Sequence, residues 1–262
     1  MTKDVPSSTP QSAMIHSSVC LHAEMLHDDG VWRLVERALG AMEESGWRAT
    51  FLVYPLRGQA AGRDARSRVR QIAALGHEVG QHTHFYSGRE VDRTRKRTDL
   101  SDRNVRDCLL RDYEWLRECG VEPKGFCAGN FMTTETVFES LAELGFLYDC
   151  SARLPWQRRN YELPHTFLEG AQVRRFGGAP LVMLPNTEFL TLAQALSPSR
   201  RRRTAALAGG GARYELINNH DYDLPLRGVW LGLQWRLRRG PRSVETRRLA
   251  EMCLEGGDDG RH

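Results

Sequence analysis

The sequence predicts an α/β fold built on a parallel sheet. Short apolar runs alternate with segments whose apolar residues recur at helical spacing, and each strand–helix repeat takes about 25–40 residues. The chain of 262 residues is 40% hydrophobic, which is enough for one core. It contains no run near the ~18 apolar residues of a membrane span. We therefore expect one domain over 16–256, with flexible tails at 1–15 and 257–262.

The first part of the chain shows the strand–helix alternation most clearly. Strands are predicted at 18–26, 49–55, 77–85, 124–129 and 146–151, and helices at 31–46, 67–76, 100–120 and 133–145. In the first helix the apolar residues follow i, i+3, i+4 spacing from Val31 to Met42. Two of the other helices end on a glycine, Gly76 and Gly120, a frequent helix stop.

The rhythm weakens after residue 151. Residues 152–180 carry little periodicity and predict a long excursion over one face of the sheet. Further strands are predicted at 181–185 and 214–221, and a closing helix at 246–255. These elements complete the expected α/β fold.

Charge and cysteine content narrow the functional classes. Residues 1–150 hold 19 Lys/Arg against 22 Asp/Glu, and residues 151–262 hold 18 against 11. The basic residues are interleaved with leucine and tryptophan at 230–239 and follow no recognised motif, so we expect no nucleic-acid partner. The first residues lack the apolar core of a secretory signal, and the six cysteines form no C-x-x-C pair. We expect a cytoplasmic protein with reduced thiols and no membrane partner.

Histidines and carboxylates recur where the predicted strands end. These positions are Glu24, His27, Asp28, Asp29, His82, His84, Asn130, His220 and Asp221. In parallel α/β folds the carboxyl ends of the strands form the ligand site. A spacing of two places the His82 and His84 rings on one face of a strand. Imidazoles beside a carboxylate suit zinc or another divalent metal.

Several of these segments, in this order, resemble the polysaccharide deacetylases of carbohydrate esterase family 4. GHEVGQHTHFY at 76–86 is the most specific match, and it resembles a motif that supplies metal histidines. Weaker similarities are HDDG at 27–30, ATFLV at 49–53, GFCAGNF at 125–131 with LAELGFLYDCS at 141–151, and INNHDYDL at 217–224. The resemblance covers 17–151 well and 181–224 loosely.

This resemblance implies a distorted (β/α)7–8 barrel that holds a divalent metal, zinc first and cobalt or nickel as alternatives. The implied reaction removes an N-acetyl group from an amino sugar or a glycosylated small metabolite. By motif position, Asp28 would be the general base, Asp29 and His82 would be metal ligands, and His220 would be the general acid. Chemically, metal-activated water with a carboxylate base and a histidine acid is consistent with that reaction.

The chain departs from the family pattern at several positions. The second metal histidine would fall at Tyr86, which leaves His84 as its replacement, and Cys127 stands where the family has an arginine that orients the base. The carboxylate also has two interpretations. In the first, HDDG supplies the carboxylate. In the second, the strand ends at HAE, so that Glu24 is the base or ligand and HDDG only caps the next helix.

Substrate contacts are expected from Asn130, Trp156 and Asp221, with Asp221 orienting His220. The basic second half would bring Arg153, Arg158, Arg159, Arg174 and Arg175 over the barrel mouth. Arginine suits an anionic substituent such as a phosphate. The expected partner is therefore a small amino-sugar substrate, and the arginines leave open an anionic substituent on it. The oligomeric state is left open.

Two other functions remain open at this point. The first is a metal-independent amide or imide hydrolase of the allantoinase-like type, which the departures at Tyr86 and Cys127 would fit. The second is a catalytically silent relative that binds carbohydrate.

Overall fold

The computed structural model describes residues 14–55, 59–87, 97–157, 164–197, 204–209, 212–239 and 243–257. Most of both expected tails lies outside these residues, although the first strand already begins at Ile15. None of the described helices is long and apolar enough to cross a bilayer.

The described strands and helices alternate as predicted. The strands are β1 (Ile15–Ala23), β2 (Thr50–Val53), β3 (Glu78–Thr83), β4 (Tyr86–Ser87), β5 (Arg97–Thr98), β6 (Gly125–Ala128), β7 (Tyr148–Asp149), β8 (Gln172–Phe176), β9 (Ala179–Met183), β10 (Glu188–Phe189), β11 (Ala205–Ala206) and β12 (Arg213–His220). The helices are α1 (Asp29–Glu44), α2 (Gln59–Ala74), α3 (Asp102–Glu118), α4 (Glu135–Glu143), α5 (Leu192–Ala195), α6 (Arg227–Arg239) and α7 (Thr246–Gly257).

Parallel pairing runs around a distorted barrel and confirms the predicted fold class. The strand order is β12-β1-β2-β3-β6-β7-β9, each neighbour parallel to the next. β10, which follows β9 in the chain, pairs parallel with β12 at one end of this strand order. The carboxyl ends of these strands consequently share one rim.

Several short elements and the longer β8 and α6 escape the sequence prediction. β8 pairs only antiparallel with β9 and is half-exposed along its length, so it lacks the alternation of a half-buried strand. α6 buries Val229, Gly232, Leu233 and Arg236. A glycine and an arginine on the buried face interrupt the apolar spacing by which a helix is recognised.

Strand parity separates the barrel interior from its outer layer. Along β1, Val19, Leu21 and Ala23 face the core that contains α1. Cys20 faces the interior core, and α7 contributes to that core. The Thr246 hydroxyl, at the start of α7, contacts Ser18 Oγ at 2.8 Å and Cys20 Sγ at 3.1 Å. An apolar interior closed by α7 therefore supports the opposite, polar rim.

A buried ionic cluster fixes α6 to the outside of β12. Arg236 is 1% exposed, and its Nη1 donates to Glu215 Oε2 at 2.9 Å. Its Nη2 pairs with the buried Glu188 of β10. Ser17 Oγ of β1 also donates to Glu215, at 3.0 Å. The arginine pairs with both carboxylates, which would be very costly to bury without a cation beside them.

We predict that Arg236→Met lowers the free energy of unfolding by about 3–5 kcal/mol, because it leaves Glu188 and Glu215 buried without a cation. Urea denaturation at pH 7 measures the change. The matched control is Arg238→Met on the exposed face of α6, which should change stability by less than about 0.5 kcal/mol. Equal losses in both variants would contradict the role of the cluster.

Candidate functional site

Side chains from three strands meet at the polar rim of the barrel. Glu24 follows β1 directly, His82 lies in β3 with His84 just beyond it, and His220 ends β12. The register places His220 beside His22 of β1, which brings the ends of β12 and β1 together. These residues line a cavity of about 680 Å³, within the range of a small-molecule site.

The described cavity wall combines imidazoles, aromatic rings, one carboxylate and one guanidinium. The described residues that line it are His22, Glu24, His82, His84, Tyr86, Asn130, Phe131, Arg153, His165, Phe189, His220 and Tyr222. Glu24 is the one carboxylate among them.

Glu24 lies among three imidazoles. Its Oε1 is 3.3 Å from His82 Nε2 and 3.3 Å from His84 Nε2. His220 Nε2 lies 3.6 Å from the same oxygen. One ligand atom from each of Glu24, His82 and His84 falls within 4.8 Å of the others. A carboxylate with two imidazoles is a donor set that divalent zinc, cobalt or nickel binds well.

The orientation of His82 fits a metal ligand. Its Nδ1 contacts the Cys127 carbonyl oxygen at 2.8 Å, and since a carbonyl only accepts, Nδ1 donates. Nε2 is buried and lies 3.3 Å from Glu24 Oε1. Metal-ligating histidines typically donate their other ring N–H to such a carbonyl, which fixes the tautomer and the ring. The backbone of β6 therefore aims His82 Nε2 at Glu24.

Electrostatics around His82 and Glu24 favour a cation between them. Burial acts to lower the pKa of His82, but its contacts with Cys127 and Glu24 outweigh this and raise that pKa to about 10. Burial acts to raise the pKa of Glu24, but hydrogen bonds from His82 and His84 bring it well below its ordinary value. In the metal-free protein a proton on His82 supplies the positive charge that this carboxylate needs.

His84 is held by close packing. A Cβ on Gly129 would come within 2.3 Å of His84 Nδ1, so the ring occupies space that only glycine leaves free. Tyr86 stacks on its other side with centroids 5.1 Å apart. Tyr86, which stands at the position of the family's second histidine, therefore lines the cavity and packs against His84.

His220 is oriented by Asp223. Its Nδ1 lies 3.3 Å from Asp223 Oδ2, and its ring stacks on Tyr222 with centroids 4.6 Å apart. An N–H directed at the carboxylate leaves the lone pair of Nε2 facing Glu24. Burial is the main cause that lowers the pKa of His220 below its ordinary value. The ring is consequently neutral near pH 7.

Asp28 and Asp29 lie at the start of α1. Asp28 is the N-cap of α1 and accepts from Val31 N at 2.9 Å, and Asp29 in the first helical turn pairs with Arg68. Neither is among the described residues that line the cavity. Both satisfy the start of a helix, where short acidic side chains are favoured. Glu24, the alternative that the sequence left open, is the carboxylate among the described lining residues.

Of the three residues expected to contact the substrate, one lines the cavity. Asn130 lines the cavity. Trp156 is 54% exposed and is not among the described lining residues. Asp221 does not orient His220. It is fully buried and accepts from Met25 N at 2.9 Å and Tyr222 N at 2.8 Å, so it ties the segment after Glu24 to the end of β12.

Among the arginines expected over the mouth, Arg153 lines the cavity. Its guanidinium lies 5.3 Å from the ring centroid of Phe131. Arg174 pairs with Glu135, and Arg175 donates to the Gly178 carbonyl, both outside the cavity lining. The expected contributions of Arg158 and Arg159 lie outside the described residues.

Several cavity residues were not predicted. His22 is buried, lines the cavity, and has an Nε2 without a hydrogen-bond partner. Its place two residues before Glu24 was the available signal, because strand parity puts both on one face. Phe131 has a left-handed backbone with φ 57°, and its carbonyl accepts from His165 Nδ1 at 2.9 Å. Nothing in the local sequence indicates that conformation.

Comparison with known proteins agrees with this architecture. The family model described as polysaccharide deacetylase matches residues 22–148. No curated protein matches the chain. A candidate polysaccharide deacetylase from Mycobacterium smegmatis has a similar structure, with a TM-score of 0.64, 18% identity, and coverage of 100% of this chain and 97% of that one.

Two further solved structures share the fold at lower similarity. An acetyl xylan esterase of family 4 from Clostridium thermocellum, in complex with a cobalt ion, has a TM-score of 0.50 and 16% identity, with 90% of each chain covered. A family 4 pseudoenzyme from Bacillus anthracis has a TM-score of 0.50 and 10% identity, and the match covers 90% of this chain and 66% of that one.

We predict that Asp221→Asn flattens the pH dependence of stability. Burial raises the pKa of Asp221 to about 7, so its stabilising contribution is complete below about pH 4 and is lost as the pH rises through 7. A shift of this size corresponds to at most about 4 kcal/mol. Unfolding free energies from pH 4 to 8 should fall less in Asp221→Asn than in the wild type.

Asp223→Asn is the control, since it alters the contact to His220 and leaves Asp221 in place. The pH slope of this variant should match that of the wild type. A wild-type slope in Asp221→Asn would contradict the assignment.

Proposed function

We propose that the chain is a divergent member of the polysaccharide deacetylase family, whose model matches residues 22–148, and that it is a metal-dependent hydrolase that removes an N-acyl group, acetyl first, from an amino sugar or a glycosylated small metabolite. One observation carries the proposal: Glu24, His82, His84 and His220 converge at the carboxyl-end rim, with the contacts to Glu24 Oε1 between 3.3 and 3.6 Å. Titratable groups that converge on the wall of a ligand-sized cavity are typical of a functional site.

Glu24, His82 and His84 would hold the divalent ion. When bound, such an ion polarises a carbonyl oxygen and lowers the pKa of water. The protein contributes the fixed tautomer of His82, the packing of His84 against Gly129 and Tyr86, and the negative charge of Glu24. Zinc, cobalt and nickel all fit this donor set.

His220 would carry the proton in both directions. Its neutral imidazole, held by Asp223, can accept a proton from the attacking water at Nε2 and return it to the departing nitrogen. The family resemblance assigns the first of these steps to an aspartate base. Because Glu24 is the only described carboxylate in the cavity wall, we assign both steps to His220.

The remaining cavity wall suits a sugar with an anionic substituent. The rings of Tyr86, Phe131, Phe189 and Tyr222 offer apolar surfaces, and the Arg153 guanidinium is a cation suited to carboxylate or phosphate. This supports the expectation of a small anionic amino-sugar substrate.

A silent carbohydrate-binding relative is the second candidate, with a metal-independent amide hydrolase beside it. The observation that favours them is the replacement of two family residues, by Tyr86 and by Cys127. Either alternative predicts that the purified protein contains no stoichiometric metal.

We predict about one equivalent of divalent metal after purification without chelators, together with acetate release from N-acetylated amino sugars. His82→Ala should lose both, because it removes a metal ligand, and Glu24→Gln should lose acetate release, because it removes the carboxylate that would hold the ion at the rim. His220→Ala should keep the metal and lose about 10²–10⁴-fold in kcat. Metal analysis and acetate detection on the same samples check both properties.

Asp29→Asn is the matched control, an acidic residue of the neighbouring motif outside the cavity. It should retain metal and activity. Loss of activity in Asp29→Asn with activity retained in Glu24→Gln would restore the HDDG assignment. Less than about 0.1 equivalents of metal in the wild type, after reloading with zinc or cobalt, would refute metal dependence.

We also predict that metal binding at pH 7 releases about one proton, because the cation displaces the proton that the raised pKa keeps on His82. Calorimetric titrations in buffers of different ionisation enthalpy count the protons. Affinity should rise with pH in this range. Binding without proton release would contradict the protonation state proposed for the metal-free site.

A further inference from the structure

A second group of donor atoms lies on the interior side of His82. It consists of His22 from β1, His82 from β3 and Cys127 from β6, and one donor atom of each falls within 4.8 Å of the others. All three side chains are at least 98% buried. The group shares only His82 with the cluster around Glu24, and Cys127 is not part of the cavity wall.

The donor atoms of this group are poorly satisfied. His22 Nε2 is buried and makes no hydrogen bond. The Cys127 thiol contacts the carbonyl oxygens of Ala128 and Cys150 at 3.7 Å. A buried polar atom left unpaired is destabilising. A bound cation would satisfy the His22 nitrogen and the sulfur together, with His82 Nε2 as the third ligand.

We propose that His22, His82 and Cys127 form a thiolate-containing metal position, deeper in the barrel than the position at Glu24 and alternative to it. Since His82 Nδ1 is engaged by the Cys127 carbonyl, its Nε2 is the atom that both positions use. A single imidazole nitrogen binds one ion, so occupation of one position excludes the other.

The two positions differ in softness and not in charge. Each offers two imidazoles and one anion, which is a carboxylate at the rim and a thiolate below it. Thiolate favours thiophilic ions such as Zn²⁺ and Cd²⁺, whereas the carboxylate position tolerates harder ions. Binding at the deeper position requires the thiolate of Cys127 and the unprotonated Nε2 of His82, so any proton on either atom is released to solvent as the metal binds. His22 lines the cavity, so an ion arriving there reaches the sulfur past this ring.

Cobalt(II) titration of the full-length protein tests the proposal. A thiolate ligand gives a near-ultraviolet sulfur-to-cobalt charge-transfer band, which we expect in the wild type and in Glu24→Gln. Cys127→Ser and His82→Ala should lose the band. Cys253→Ser, another buried cysteine of the interior core, should keep it.

X-ray absorption at the metal edge of the cobalt- and zinc-loaded wild type gives a second readout that does not depend on how any variant folds. One sulfur scatterer at about 2.3 Å is expected for zinc. A first shell of nitrogen and oxygen alone, or an unchanged band in Cys127→Ser, would overturn the proposal. Neither readout requires a substrate, so they are independent of the outcome for deacetylation.

Discussion

The site depends on the parallel register that holds β1 between β2 and β12. That register sets His22 beside His220 and leaves Glu24 one residue beyond the end of β1. The parallel pairing of β3 with β6 places His82 beside Cys127. A slip of one residue in β1 would turn His22 and Glu24 to the outer face and put Leu21 and Ala23 in their place. Backbone pairing, and not any side-chain contact, therefore brings the three imidazoles and the carboxylate together.

The strand–helix alternation, and hence the fold class, could be predicted because both the helical spacing and the strand lengths are local properties. The same holds for His82, His84 and His220, which follow or end recognisable strands. The carboxylate that reaches the cavity was harder to predict from the sequence. HDDG has the sequence of the family motif, but the same residues also satisfy a helix N-terminus, and only the observed end of β1 shows that Glu24 reaches the cavity.

Other features depend on contacts distant in sequence. The partner of His220 is Asp223 and not the adjacent Asp221, because a short 3-10 turn at 221–223 directs the first aspartate into the protein and the third toward the imidazole. The unusual composition of α6 likewise makes sense only beside the buried carboxylates of β10 and β12. Local spacing carries no information on either pairing.

The left-handed backbone at Phe131 has a consequence for ligand binding. A phenylalanine in this conformation costs about 1–3 kcal/mol, and the energy is supplied during folding, when His165 donates to its carbonyl and Arg153 lies over its ring. The wall is thus assembled before any substrate arrives. A ligand that enters the cavity need not order this ring, so less of its contact energy is offset by lost side-chain freedom and more contributes to affinity.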